Sequence, residues 1–388
     1  MRESELFHAV HRGPRGGRRM TSWVAVAYGA LDLRGWHENQ TDVELMLLAV
    51  VPSEPIGLAG TPAILWRKLL EGPVPDAALD AGEQDLVREF AEAGIASSDP
   101  GHPARVRELS PPWMSSPVHE MVYSLVASVA RENGVDVVSI KGPLLHRQGL
   151  REREHSGDVD VWADPARLQI LCSALEAWGW NGRTDQWSGL SFNHSVALEP
   201  GTWGCELDVH RHIPGCADED PAVFAKVMER SQTTLFAGVP MMTPDLPAHA
   251  VIFALHDLRP EARHGKPAVG AEEHAGKLRL AGEGALEFAN SVKASAVLEP
   301  ALRLAFPAAL FRVDHEVPLN WKWRGSKGWW RAYWMIFRSL PSEERLLFIR
   351  RAVWPQAEVL AASDDRAGRS TPSLIGARFR RIAKLFRW

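Results

Sequence analysis

The chain predicts an α+β fold: a mixed sheet flanked by helices, with a winged-helix-like module before it and a helical region after it. Three observations carry this. Strand-like runs and helical stripes alternate between about residues 112 and 243. Helical stripes alone continue from Pro244. Before Ser98, short apolar runs precede two amphipathic segments. At 388 residues the chain has room for two or three domains and a sizeable core. Asp and Glu number 48 against 44 Lys and Arg, a net charge of −4, so no global basic field directs the chain to nucleic acid and no DNA partner is expected. Cys172, Cys205 and Cys216 show no CxxC spacing, which excludes a disulfide framework and fits a reducing, cytoplasmic compartment. No apolar run reaches the roughly 20 residues of a spanning helix.

In chain order, residues 1–21 read as a flexible arm. Arg12, Arg15, Arg18 and Arg19 are followed by no apolar segment of a secretion signal, and Met20 is an alternative start. Residues 22–98 form the first module. Glu44 to Val51 is a strand-like run, expected to be an open edge. Pro55 to Thr61 is a turn, and Ile64, Leu65, Trp66, Leu69 and Leu70 make one helical stripe, stopped at Gly72-Pro73. Leu86, Val87, Phe90 and Ala91 make a second stripe, closed by Gly94. The segment from Ser97 to Pro112 is rich in Pro, Ser and charge and reads as a linker.

Residues 112–243 form the sheet domain. Ser116 and Pro117 suit the N-cap and first position of a helix whose stripe is Met121, Val122, Leu125, Val126 and Val129. Val135 to Ile140 is a strand that runs into Lys141-Gly142-Pro143. A polar segment, Arg147 to Gly157, leads to the strand Asp158-Val159-Asp160-Val161. Residues i and i+2 of a strand share a face, so Asp158 and Asp160 project together while the two valines enter a core. Side-by-side carboxylates repel and call for a counter-ion. Mg²⁺ supplies one, with its preference for oxygen ligands and phosphates. After a helix carrying Leu168, Leu171, Cys172 and Leu175, strands near Asn193–Leu198 and Cys205–His210 are joined by the turn Glu199-Pro200-Gly201-Thr202. Asp208 repeats the acidic alternation and is the candidate third carboxylate. Glu206 reads as a salt-bridged surface residue. His210-Arg211-His212 has no second Cys/His pair at zinc spacing.

Residues 244–388 are expected to be helical, with stripes over Ala248–Leu258, Gly284–Ala296 and Glu343–Val353. Trp321, Trp323, Trp329, Trp330 and Trp334, among Lys and Arg, read as helix-packing core with snorkelling cations. The last segment, Arg366 to Trp388, carries seven basic residues and no acidic ones, with Leu374, Ile375, Phe379, Ile382 and Leu385 on one side. It reads either as a contact for an anionic membrane surface or a nucleic acid, or as a helix packed on its own domain.

Lys141-Gly142, then Arg151 and Arg153, then Gly157-Asp158-Val159-Asp160-Val161, then Leu207-Asp208-Val209-His210 resemble, in that order, the nucleotidyltransferase superfamily typified by DNA polymerase beta. More narrowly the chain resembles a bacterial family of uncharacterised nucleotidyltransferases. The resemblance spans roughly Pro112 to Arg263. It implies a nucleotidyltransferase-type sheet and Mg²⁺-dependent transfer of a nucleoside monophosphate from an NTP to an acceptor hydroxyl on a modified peptide, a sugar or a small metabolite. It further implies two Mg²⁺ ions held by Asp158, Asp160 and Asp208, with Asp208 near the acceptor hydroxyl. Nucleotide contacts are implied for Lys141, Gly142, Arg151, Arg153, Ser156, His194 and His210. Pro143 departs from the usual Gly-Ser or Gly-Gly turn and removes one N–H donor to phosphate. Two alternatives remain open: a non-catalytic peptide- or nucleotide-binding adaptor on the same fold, and an RNA-directed transferase. Leu58-Ala59-Gly60-Thr61, Ile64-Leu65-Trp66 and Leu70-Glu71-Gly72 resemble PqqD-type domains, which implies a leader-peptide partner from the biosynthesis of ribosomally made peptides; a generic winged helix fits the same residues.

Overall fold

The computed structural model describes residues 21–39, 41–154, 157–260, 270–309, 313–326, 328–363 and 375–379. The expectations for the N-terminal arm, for Ser156 and for most of the basic C-terminal segment lie outside these residues. The fold is α+β. Its elements begin with β1 (Ser22–Ala25), β2 (Gly29–Asp32), β3 (Leu45–Leu48), β4 (Ile56–Leu58), α1 (Thr61–Glu71), β5 (Val74–Pro75), α2 (Ala81–Glu92) and β6 (Ala96–Ser97). Two small antiparallel sheets result, ordered β5-β1-β6 and β2-β3-β4. Asp80 and Glu83 cap α2 reciprocally, satisfying N-terminal N–H groups that the helix cannot pair itself. Ala63, Leu65, Trp66 and Leu69 form the buried side of α1, whereas Ile64 is exposed.

The run expected to be an open edge is instead the middle strand. β3 pairs with β2 on one side and β4 on the other. The far side of β2 is also covered: Ala30 N–H donates to Ala237 O at 2.9 Å and Asp32 N–H to Ser110 O at 3.0 Å. Glu44 to Val51 read as an edge because alternation reports which residues are buried, not how many neighbours a strand has.

The second unit comprises α3 (Pro117–Glu132), β7 (Val137–Ser139), α4 (Gly142–Arg147), β8 (Asp158–Ala163), α5 (Leu168–Glu176), β9 (Asn181–Gly182), β10 (Ser195–Glu199), β11 (Glu206–His210), α6 (Asp220–Glu229), β12 (Ser231–Phe236) and β13 (Val239–Pro244). Its seven strands form one mixed sheet, ordered β12-β13-β7-β8-β11-β10-β9. β8 and β11 run parallel at its centre. Side chains alternate between two cores, as the pleat requires. Val159, Val161, Leu207 and Val209 enter the core shared with α3 and α5. Val138, Ile140 and Trp162 enter the opposite core, against the C-terminal helices.

Helix α3 lies between the sheet and the N-terminal module, and is buried nearly all round. Tyr28, Leu31 and Leu48 join the same core cluster as Met121 and Leu125. The contact is close enough that a Cβ on Gly29 would lie 2.4 Å from Ser124 Oγ, so only glycine fits there.

The C-terminal helices are α7 (Leu246–Asp257), α8 (Ala271–Ala281), α9 (Glu283–Ser291), α10 (Ser295–Ala305), α11 (Leu319–Lys322), α12 (Trp329–Ser339), α13 (Ser342–Val353) and α14 (Ala357–Ser363). The single stripe expected over Gly284–Ala296 is divided between α9 and α10, with Lys293 at φ 51 in the junction. The tryptophans also divide. Trp321 packs on the core behind the sheet and Trp323 on a smaller aromatic cluster, with the Arg324 guanidinium 4.5 Å above its ring. Trp330 and Trp334 are exposed on α12, so they are not packing core. Among the described residues no helix is long and apolar enough to cross a membrane.

Candidate active site on the β8–β11 face

Register builds the site. Asp208 is the Cα partner of Asp160 across the parallel pair, and Glu206 that of Asp158. Asp158 and Asp160 therefore share a face with Glu206, Asp208 and His210, opposite the valines. That face floors a cleft of about 1130 Å³ whose lining includes Lys141, Arg151, Arg153, Asp158, Asp160 and Asp208. Helix α7 supplies another wall with Phe253, His256 and Asp257.

Asp160 is the hub. Its Oδ1 accepts from Lys141 Nζ at 2.6 Å and lies 2.9 Å from His210 Nε2. The same His210 nitrogen is 3.1 Å from Asp208 Oδ2. Asp160 is 2 % exposed and His210 1 %, so these charges are held in a poorly solvated place. Burial alone would push the Asp160 carboxyl up, but the His210 hydrogen bond and the Lys141 charge reverse this and leave it below its ordinary value. Asp208 behaves alike: burial raises it, and the His210 charge and hydrogen bond then hold it well below the carboxylate range. Burial lowers His210 in turn, but the Asp208 charge and the hydrogen bonds to Asp160 and Asp208 together outweigh it, so its affinity for a proton is raised. The two carboxylates thus face the Lys141 ammonium and an imidazole whose hold on a proton they strengthen.

Asp160, Asp208 and His210 each offer a ligand atom, and these atoms lie within 4.8 Å of one another, near enough to share one metal ion. Two carboxylate oxygens suit Mg²⁺ or Mn²⁺, and an added imidazole favours Mn²⁺.

The turn that delivers Lys141 is unusual. Lys141 has φ 60 and ψ −141, a region that non-glycine residues rarely adopt and that costs about 1–3 kcal/mol. A buried relay holds it there. Lys141 N–H donates to His249 Nε2 at 2.8 Å. His249 Nδ1 then donates to Gln148 Oε1 at 2.6 Å, and Gln148 Nε2 to Pro244 O at 3.0 Å. With Nε2 accepting and Nδ1 donating, His249 is neutral. Burial lowers its pKa to about 3.

The other expected residues divide. Arg153 lines the cleft. Arg151 lines it too, but its guanidinium donates to the carbonyls of Gly142, Arg153 and Glu154 at 2.6–2.8 Å and so pins the loop. Gly142 is buried away from the cleft. Its φ is +57, and a Cβ there would lie 2.3 Å from Tyr123 Oη, so glycine is required by the phenol beneath it. His194 sits behind His210, with ring centroids 5.7 Å apart, and its Nε2 accepts from Arg259 at 2.8 Å. Burial, and then the charge of His210, push its pKa far down. Glu206 is taken by Arg183, at 3.0 and 3.4 Å.

Sequence reasoning missed His249, His256, Asp257, Arg259 and Arg324. His249 and His256 lie in an otherwise apolar helical stripe, and polar residues on such a stripe were the available signal. His256 Nδ1 meets Asp257 Oδ1 at 3.0 Å on the cleft wall.

No protein-family model matches this chain, and no curated protein does. Among solved structures the chain is similar to the solution structure of the antibiotic-resistance factor ANT(2'')-Ia, described for its substrate-regulated conformation dynamics. The identity is 16 %, the match covers 49 % of this chain and 93 % of that one, and the TM-score is 0.28. A likeness at that score carries no argument, so the α+β assignment rests on the strand order and register above.

Proposed function

We propose that this chain is a metal-dependent nucleotidyltransferase, moving a nucleoside monophosphate from an NTP to an acceptor hydroxyl with release of pyrophosphate. One observation carries the reading: Asp160 and Asp208 stand opposite each other on adjacent parallel strands at the floor of a large cleft, with His210 buried against both. The order of motifs around Lys141-Gly142, Asp158 to Asp160 and Asp208 supports it. Asp160 and Asp208, with Asp158 on the same face, are the residues that would hold Mg²⁺ or Mn²⁺. When bound, the ion supplies positive charge to the polyphosphate and its leaving group.

The chain's own residues do the rest. Arg153 and Lys277, both on the cleft lining, would take phosphate oxygens, with Lys277 giving up its ion pair to Glu273. Arg151 keeps the loop that carries Arg153 in position. Phe253, with Lys277 Nζ 4.6 Å from its ring centroid, gives the cleft an aromatic wall. The acceptor is a peptide, sugar or small metabolite bearing a hydroxyl. A peptide acceptor would dock on the N-terminal module. Among the described residues β4 is the edge of the β2-β3-β4 sheet away from β2, where an added strand would pair.

The test is calorimetric titration of the full chain with Mn²⁺ and a non-hydrolysable NTP analogue. Binding of the analogue that requires Mn²⁺, and its loss in the Asp160→Asn, Asp208→Asn double variant, is expected. Analogue binding that is indifferent to metal and to both substitutions would overturn the reading.

A further inference from the structure

We propose that the Lys141 ammonium is a built-in counter-ion of the carboxylate pair, filling one of its cation seats so that the chain takes a single divalent ion. This rests on the metal-dependent reading above and departs from the two-ion expectation of the sequence.

The geometry around Asp160 Oδ1 is the starting point. That oxygen receives Lys141 Nζ at 2.6 Å and faces His210 Nε2 at 2.9 Å. A carboxylate oxygen has two lone-pair directions, and these two contacts engage both. An ion that bridges Asp160 and Asp208 through Oδ1 must displace one of them. Lys141 Nζ lies 3.5 Å from His210 Nε2, so the ammonium and the imidazole crowd the same carboxylate oxygen. A second divalent ion there would meet an ammonium at contact distance, a strong like-charge repulsion where the side chains are only 10 % and 3 % exposed.

Lys141 is also held where it is. A flexible surface lysine would swing aside for a metal, but this one is fixed at both ends. Its backbone N–H is tied to His249, its φ is positive, and His249 is itself fixed through Gln148 to the carbonyl of Pro244. A strained backbone held by a buried relay is maintained for the direction it gives a side chain. Here that direction is toward Asp160.

The experiment compares the full-length chain with Lys141→Met, both stripped with EDTA and titrated with Mn²⁺. Stoichiometry is read by calorimetry and melting temperature by scanning. The parent chain is expected to take one Mn²⁺. Lys141→Met is expected to melt lower in EDTA, to take two Mn²⁺, and to gain more in melting temperature from the ion than the parent does. Lys141→Arg, which restores the positive charge, is expected to return to one ion. If Lys141→Met does not fold in EDTA, recovery of its folded near-ultraviolet dichroism on adding Mn²⁺ is the reading, and no recovery overturns the proposal. Equal stoichiometry and equal gain in parent and variant also overturn it, while leaving the metal site in place. No Mn²⁺ binding by either chain overturns the metal reading and this proposal with it.

Discussion

The relay behind Lys141 makes stability depend on pH in a way that can be worked out. His249 is fully buried and neutral, and burial holds its pKa at about 3. In the unfolded chain a histidine titrates near 6.5. Between those two values the unfolded chain binds a proton that the folded chain refuses, so falling pH favours unfolding. The stability His249 contributes is present above about pH 6.5 and is lost progressively as pH falls toward 3. From pH 7 to pH 5 the loss is about 2 kcal/mol, from roughly 1.4 kcal/mol per unit over about one and a half units. His194 and His256 are also lowered and add in the same direction, whereas the raised His210 opposes them. The comparison that isolates His249 is therefore the parent chain against His249→Gln, which keeps an acceptor for Lys141 N–H but does not titrate. Urea titrations at pH 7 and pH 5 measure it. At pH 7 the variant is expected to be less stable by about 1 kcal/mol, for the bond to Gln148 it loses. By pH 5 that gap should close or reverse, a swing of about 2 kcal/mol. Equal pH dependence in the two chains would refute the neutral relay.

Further outcomes follow from other contacts. Gly142→Ala should lose at least about 2 kcal/mol, from its positive φ and the contact with Tyr123 Oη, and Tyr123→Phe should recover part of that loss in the double variant. Tyr123→Phe alone should be neutral or slightly stabilising in thermal melts, because that hydroxyl is buried with no hydrogen-bond partner among the described residues. The Asp160→Asn, Asp208→Asn pair should abolish the stabilisation that Mn²⁺ gives the parent chain, about 2.7 kcal/mol at a hundredfold excess over its dissociation constant. Glu206→Gln should leave Mn²⁺ binding unchanged and alter stability by less than about 1 kcal/mol, since its partner Arg183 is half-exposed. Loss of the metal response in Glu206→Gln would move the site two residues along the strands, to Asp158 and Glu206.

Much of the frame was legible in residues alone. The alternation in Asp158-Val159-Asp160-Val161 and in Leu207-Asp208-Val209-His210 assigns faces, because a strand has a period of two whatever surrounds it. Ser116, Pro117, Asn133 and Gly134 bound α3 as capping chemistry requires, because caps are satisfied within a few residues of sequence. What sequence could not supply was which strands become neighbours. The placing of Asp208 opposite Asp160, of β3 between β2 and β4, and of Ala237 against β2 depends on contacts between distant segments. The same holds for His249, 108 residues from the backbone N–H it accepts, and for Arg151, whose charge suggested phosphate but whose donors are engaged by carbonyls. Local periodicity fixes the direction of a side chain; only the packed sheet and the helices over it decide what that side chain meets.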